Sequence, residues 1–177
     1  MIAFVGLTRE PIDLAAVAAA QRDPCRQVRR QTNRAWRELQ PAVVDGGRKR
    51  LEQIVVNLLS NALRYTDTGG HVEVKVRPSA KDAILEVADT GIGIPAEDLS
   101  HVFTRFWRGE KSRSRAKGGA GIGLSIVQEL VRARGRLTVE SQPGARSVFR
   151  VAIPVSTRRP LHRDDRPITS PLHGRRS

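Results

Sequence analysis

Sixteen residues, LEQIVVNLLSNALRYT from Leu51 to Thr66, set the strongest limit on what this chain can fold into. On a helix at about 100° per residue, Gln53, Asn57, Ser60, Asn61 and Arg64 fall within an arc of about 100°. Leu51, Ile54, Val55, Leu58, Leu59, Ala62 and Tyr65 fill the opposite side. A solvated helix face carries Lys and Glu in i,i+4 pairs. This face carries mainly uncharged amides, which are poor helix formers and costly to bury without partners. One reading is an Asn-rich surface. The other is a polar stripe lining a pocket, where amide oxygens can ligate a hard cation and amide N–H groups can meet anionic oxygens.

The chain of 177 residues has room for one domain with a real core, and its 39% apolar content suffices for a globular centre with polar extensions. The net charge of +13 suits nucleic acid, an anionic membrane or a phosphorylated ligand. Most of the excess lies in Arg22 to Arg50, in Arg105 to Lys117 and in the tail after Ser156. Aromatic content of 4% leaves few stacking platforms for single-stranded nucleic acid, and no zinc-finger or RNA-binding signature is present. Nucleic acid is therefore not expected as a partner. The single cysteine, Cys25, cannot form an internal disulfide and reads as a structural thiol in a reducing compartment. No apolar run approaches about 20 residues, and MIAFVGL is too short and lacks the basic leader of a signal peptide. A cytoplasmic chain without a transmembrane segment is expected.

Residues 1 to 12 read as an extended entry, after which Asp13 caps an Ala-rich helix, DLAAVAAAQR, that Pro24 ends. Cys25 to Gln40 is too basic and too weakly periodic for assignment, although Trp36 and Leu39 point its end toward the core. Ala42 to Val44 reads as a short strand, with Asp45-Gly46-Gly47 turning into the amide helix. HVEVKV, with Val72, Val74 and Val76 alternating, predicts a half-buried strand. AILEVAD returns antiparallel to it and runs straight into Asp89-Thr90-Gly91-Ile92-Gly93-Ile94-Pro95. Glu97 to Phe106 predicts a helix, and FWRGEKSRSRAKGGAGIG a long loop. Leu124 to Arg134 predicts an amphipathic helix with Ile126, Val127, Leu130 and Val131 inward and Gly135 as its stop. LTVES and SVFRVAIP, joined by Gln-Pro-Gly, predict a terminal hairpin. Beyond Pro154 the tail has almost nothing to bury, and disorder is expected there.

Two glycine clusters stand at element ends. Asp89, at the end of a buried strand, places an acceptor at the bottom of a cleft, and Gly91 and Gly93 remove side chains where a planar ring must approach backbone. An ordinary turn with Asp bonding its own backbone is the plain alternative. Gly118-Gly119-Ala120-Gly121-Ile122-Gly123 precedes a helix, so backbone N–H groups and a positive dipole end face any anion there. It is neither the G-x-G-x-x-G of dinucleotide folds nor a Walker loop, which would end in Lys-Ser/Thr. A flexible linker is its plain alternative.

Taken in order, the amide stripe, Asp-x-Gly-x-Gly and Gly-x-Gly-x-Gly resemble the ATP-binding domain of sensor histidine kinases, in the Bergerat-fold superfamily with gyrase, Hsp-type chaperones and MutL proteins. The likeness covers roughly Asp45 to Pro154. NLLSNALRYT looks like the family's N box, DTGIGIP its G1 box, FTRFWRG its F box and GGAGIGLS its G2 box. The F box, Phe103 to Gly109, separates histidine kinases from the chaperone and topoisomerase branches. The resemblance implies an α/β (α+β) two-layer sandwich, a mixed β-sheet with helices on one face. It implies ATP and Mg2+ as cofactors, with Asn57 as the magnesium ligand. Asn61 and Arg64 would approach the phosphates, and with Asn57 they form the implied catalytic set. Tyr65 would lie by adenine or ribose. Asp89 would accept from the adenine amine, with Gly91, Gly93 and Ile94 beside the base. Gly119, Gly121, Ile122, Gly123 and Leu124 would frame the triphosphate. The stretch from about Phe106 to Ala120 would form a basic ATP lid carrying Arg108, Lys111, Arg113, Arg115 and Lys117.

Departures from the family sharpen the expectation. Gln53 stands four residues before Asn57, where hydrolysing relatives place a glutamate base, and a glutamine cannot take a proton from water. Glu52 lies about 100° further round the helix, on the flank of the pocket. None of His71, His101, His162 and His173 matches the family's phosphoacceptor, which precedes an acidic residue on a long dimerisation helix. REPIDLAAV resembles the connector that follows those helices, so the chain reads as beginning just after them. The expected division is a connector with its helix over 1–24, the ATP-binding domain over 25–155, and a basic tail over 156–177. The expected function is the catalytic half of a two-component histidine kinase. It would pass the γ-phosphoryl of Mg-ATP to a histidine on a separate, membrane-bound dimerisation protein, and through that to a response regulator. The partner would supply any recruitment to the membrane. The alternatives are a serine kinase of the anti-sigma type and a nucleotide-dependent binding module without catalysis.

Overall fold

A computed structural model describes residues 10–21, 33–107 and 121–157, with the backbone alone for 33–37. The order is β1 (Glu10–Asp13), α1 (Leu14–Ala20), β2 (Asn33–Leu39), β3 (Val43–Gly46), α2 (Arg48–Tyr65), β4 (His71–Pro78), β5 (Asp82–Asp89), α3 (Gly123–Val131), β6 (Arg136–Gln142) and β7 (Arg146–Pro154). Five strands form a mixed sheet in the order β2-β4-β5-β7-β6, in which only the β2–β4 pair is parallel. A second, two-stranded sheet pairs β1 with β3.

The period-two patterns explain the layering. Val72, Val74 and Val76 of β4, Ala83, Leu85 and Val87 of β5, and Phe149, Val151 and Ile153 of β7 are all buried. They share one core with Leu14, Val17 and Ala18 of α1, with Ile54, Val55, Leu58 and Leu59 of α2, and with Val127 and Val131 of α3. These three helices, among the described residues, thus cover one face, as a two-layer α/β sandwich requires. The opposite face is polar, and there Arg150 reaches both Glu86 and Glu140 at 2.6 Å.

Local chemistry sets the element ends. Asp13 Oδ1 accepts from Ala15 N–H and Ala42 N–H, both at 3.0 Å, so one carboxylate caps α1 and ties it to the approach of β3. α2 starts at Arg48, three residues before the periodic pattern begins, behind an N-cap Gly47 that makes no side-chain bond. At its far end Thr66 is buried, and its hydroxyl donates to Ala62 C=O at 2.7 Å.

Several expectations need correction. The unassigned run before Gln40 contains β2, an edge strand whose register shifts between Trp36 and Leu39, with Glu38 at φ 50°. Leu39 packs on the core as expected, while the Trp36 side chain, like Cys25, lies outside the described residues. Glu97 to Phe106 is not an α-helix. Only Ala96–Asp98 forms a 3-10 turn, and the bonds that follow span three residues, such as His101 N–H to Asp98 C=O and Thr104 N–H to His101 C=O. Phe106 closes the run at φ 64°, which no helix accommodates. α3 ends at Val131 rather than Arg134, with Gly135 N–H bonding Val131 C=O just beyond. Past Pro154 the chain is still engaged. Val155 bridges Val44, Ser156 N–H donates to Val43 C=O at 2.7 Å, and Ser156 Oγ donates to Asp45 at 2.8 Å. The tail from 158 lies outside the described residues.

Candidate functional site

α2 turns its apolar side into the core and keeps its amide stripe at the edge. Leu51, Ile54, Val55, Leu58, Leu59 and Ala62 are buried, Asn57, Asn61, Arg64 and Tyr65 half-buried, and Gln53 and Ser60 exposed. Gln53 Nε2 donates to Asn57 Oδ1 at 3.0 Å. The other end of that amide, Asn57 Nδ2, is buried without any partner among the described residues. A buried donor left open costs stability unless something else meets it. Arg64 makes no ion pair with the described residues, which leaves its guanidinium for an anion.

The glycine motifs close around this helix. Asp89 occupies the fourth inward position of β5, after Ala83, Leu85 and Val87, where a hydrophobic residue belongs. Its Oδ1 accepts from Gly91 N–H at 2.9 Å, and Oδ2 has no hydrogen-bond partner among the described residues. Burial pushes its pKa from 3.8 up to about 6, against the opposing pull of the Gly91 bond. A carboxylate kept this dry, with one oxygen uncommitted, is poised to accept from a ligand donor.

Gly91 and Gly93 serve the chain before they serve any ring. A Cβ on Gly91 would collide with Tyr65 C=O, and Ile92 N–H donates to that same carbonyl at 3.2 Å. A Cβ on Gly93, which sits at φ 65°, would collide with Gln142 C=O. The Asp89–Pro95 loop is therefore clamped between the end of α2 and the β6–β7 turn. Ser141 and Gly144 complete the clamp. Ser141 Oγ accepts from Ile94 N–H at 2.8 Å and donates to Arg146 C=O at 2.8 Å, while Gly144 N–H donates to Ile92 C=O at 2.7 Å. Sequence reasoning missed Ser141 by reading LTVES only as a strand. The available signal was a hydroxyl at the inward position that follows Leu137 and Val139.

At the third side, α3 begins beside Asn57. A Cβ on Gly123 would stand 4.0 Å from Asn57 Oδ1. Gly121 sits at φ 67°, and its carbonyl accepts from Phe106 N–H at 3.0 Å. Ile122 and Leu124 flank this helix start, and the first-turn N–H groups have no helical partner. Phe106 is 74% exposed, and Trp107 stacks on His101 at 6.4 Å between ring centroids. Gly119 and the basic residues Arg108, Lys111, Arg113, Arg115 and Lys117 lie outside the described residues.

Residues 46–157 match the family described as histidine kinase-, DNA gyrase B- and HSP90-like ATPase. The chain belongs to this family. A sensor histidine kinase, RppB of Synechocystis, is 43% identical over 62% of this chain and 24% of its own length. TcrY of Mycobacterium tuberculosis, a probable sensor histidine kinase, is 42% identical over 72% of this chain and 27% of its own length. The chain thus spans about a quarter of the length of the curated relatives it matches. Among solved structures, the mycobacterial sensor histidine kinase MprB aligns with a TM-score of 0.74 at 30% identity, over 86% of this chain and 100% of that one. Full-length ShkA in complex with AMPPNP aligns at 0.70 and 26% identity, over 88% of this chain and 33% of that one. The family match, with these relatives, makes the unit an ATP-binding domain of the sensor-histidine-kinase type. No helix among the described residues is long and apolar enough to cross a membrane.

Proposed function

We propose that this chain binds Mg-ATP between α2, the Asp89–Pro95 loop and the start of α3, and passes the γ-phosphoryl to a histidine outside its own residues. The observation that carries the reading is the buried Nδ2 of Asn57, which has no partner among the described residues, on a side chain that faces Gly123: a polar end is held where a ligand can complete it. Asp89 Oδ2 would accept from the adenine amine while Gly91 holds Oδ1. Tyr65 and Ile94 border the base. Backbone N–H groups at Gly123 and Leu124 would meet phosphate oxygens, with Gly119, Gly121 and Ile122 shaping the approach and Asn61 and Arg64 closing it. The side chains suit a magnesium ion held mostly by phosphates and water: one neutral amide oxygen would come from Asn57, where it now accepts from Gln53 Nε2, and no cluster of three acidic, His or Cys side chains stands among the described residues. When bound, the ion supplies charge neutralisation on the phosphates.

Phosphoryl transfer is largely positioning and charge stabilisation, so a domain that places ATP needs only a nucleophile. Gln53 cannot activate water as one. Of the chain's histidines, His71 is an exposed residue opening β4 and His101 stacks on Trp107, while His162 and His173 lie outside the described residues. The acceptor proposed is a histidine on a separate dimerisation protein, itself membrane-bound, which would hand the group to a response regulator. This chain would act from the cytoplasm. The division into a connector over 1–24, an ATP-binding unit over 25–155 and a basic tail over 156–177 belongs to the same proposal.

The test is to incubate the chain with γ-labelled ATP, alone and with a candidate dimerisation protein, and then treat the products with acid and base. Label on the partner that acid removes and base spares is expected. Label on one of this chain's own histidines refutes transfer to an outside acceptor. An acid-stable phosphate on the partner points to a serine kinase, and nucleotide binding without label to a non-catalytic module.

A further inference from the structure

Gln53 and Asn57 stand one turn apart on α2, and their side chains meet amide to amide. In the observed pairing Gln53 gives its N–H to Asn57 Oδ1, the end that a hard cation needs, and leaves buried Nδ2, the end that a cation repels. Whichever way the Asn57 amide turns, Gln53 can satisfy one end, because a glutamine carries both a donor and an acceptor. The other end is then left open in the buried position. We propose that Gln53 is a positioning residue for the divalent cation, which presents the Asn57 oxygen by exchanging the end of the amide it binds. This rests on the Mg-ATP reading above.

A half-turn about the last torsion of Asn57 reverses the pair. Nδ2 then donates to Gln53 Oε1, and Oδ1 replaces it in the buried position, where a cation completes it. The single orphaned end then disappears, but only when the cation is present. One Gln53–Asn57 hydrogen bond is kept in either arrangement, so Gln53 anchors the amide throughout and the cation meets a ligand already in place. The polar atom at position 53 thus has a use quite separate from general-base catalysis. A glutamate there would hold only the oxygen-presenting orientation, since a carboxylate accepts from Nδ2 and offers Oδ1 nothing.

The experiment is a titration of a fluorescent ATP analogue into the full chain, with and without magnesium, for the unmodified protein, Gln53→Met and Gln53→Glu. The readout is the ratio of dissociation constants without and with the ion. Methionine matches the length of glutamine and lacks both amide groups, and position 53 is exposed, so folding should survive. Gln53→Met is expected to cut the magnesium ratio by about 3- to 10-fold, toward the low end for a hydrogen bond that steers a metal ligand. Its magnesium-free affinity should stay within about twofold, as expected of a group that touches no part of the nucleotide. Gln53→Glu should keep the ratio or raise it. A Gln53→Met ratio equal to that of the unmodified chain overturns the inference, as does an equal loss with and without the ion. An unmodified chain that binds no nucleotide, or binds it equally with and without magnesium, removes the Mg-ATP reading and the inference with it.

Discussion

Asp89 is 4% exposed at the inward end of β5, with its pKa raised to about 6 by burial, and that single carboxyl ties nucleotide affinity to pH. A folded pKa above the ordinary 3.8 means that the fold prefers the proton. The stability gained from protonation is full below about pH 4 and is lost as pH rises through about 6. The loss amounts to roughly 3 kcal/mol at neutral pH. Nucleotide binding runs the other way. An adenine amine donates, and it is met best by the carboxylate, so the ligand competes with the proton. At pH 7.5 nearly all of Asp89 is ionised in the free protein, and at pH 5 only about a tenth is. Affinity for an ATP analogue should therefore fall about tenfold between these values.

Asp89→Asn supplies the control. Gly91 N–H already claims one oxygen, so the amide must turn its oxygen to Gly91 and its NH2 toward the adenine amine, donor against donor. The mispairing should weaken binding by about 5- to 150-fold at pH 7.5 and remove the pH dependence. The same variant should raise the melting temperature of the free protein at neutral pH by several degrees, because no charge remains to be kept dry. The assays are equilibrium titration across pH and thermal unfolding without nucleotide. A flat affinity between pH 7.5 and 5 in the unmodified chain, or an unchanged slope in Asp89→Asn, refutes the reasoning.

Three further outcomes follow from the loops and the helix. Gly93→Ala, which combines φ 65° with a collision against Gln142 C=O, should cost about 2–4 kcal/mol in denaturant unfolding, and an unchanged midpoint would contradict the clamp. Ser141→Ala should weaken analogue binding by about 3- to 10-fold through the freed Ile94 N–H, with Ser141→Thr restoring it; equal behaviour of the two variants would remove the hydroxyl from the account. The isolated chain should hydrolyse ATP far more slowly than about 1 per second, as read by phosphate release, since Gln53 cannot serve as a base.

Much of the fold was legible because its signals were periodic. The alternation of Val72, Val74 and Val76 marked β4, and the apolar rows of α2 and α3 marked the helices above it. What stayed hidden lay where tertiary contacts override local preference. Arg48, Lys49 and Arg50 load the first turn of α2 with charge that opposes its dipole, and Gly47 gives no side-chain cap, so nothing local announces a start there. β2 is a basic edge strand whose register slips next to β4, and its pairing comes from that neighbour rather than from its own pattern. In Glu97 to Phe106 the error ran the other way. Apolar spacing resembled a helix, but Pro95 and the three-residue bonds hold the segment as consecutive turns.

For the site, sequence named positions more readily than causes. Gly91 and Gly93 were assigned to make room for a base, yet each is forced first by a carbonyl, of Tyr65 and of Gln142. The two explanations are linked. An adenine acceptor at Asp89 is useful only if its loop is held, and the loop is held because backbone can approach it from both sides. Ser141 belongs to that holding and was invisible to motif reading, since its partner Ile94 lies 47 residues away in sequence. Gln53 shows the same limit inside one helix. Sequence identified it by the reaction it cannot perform, whereas its bond to Asn57 Oδ1 indicates what it can do. A residue excluded as a base is therefore still part of the site, because the amide that disables it toward water is the group that can pair with either end of Asn57.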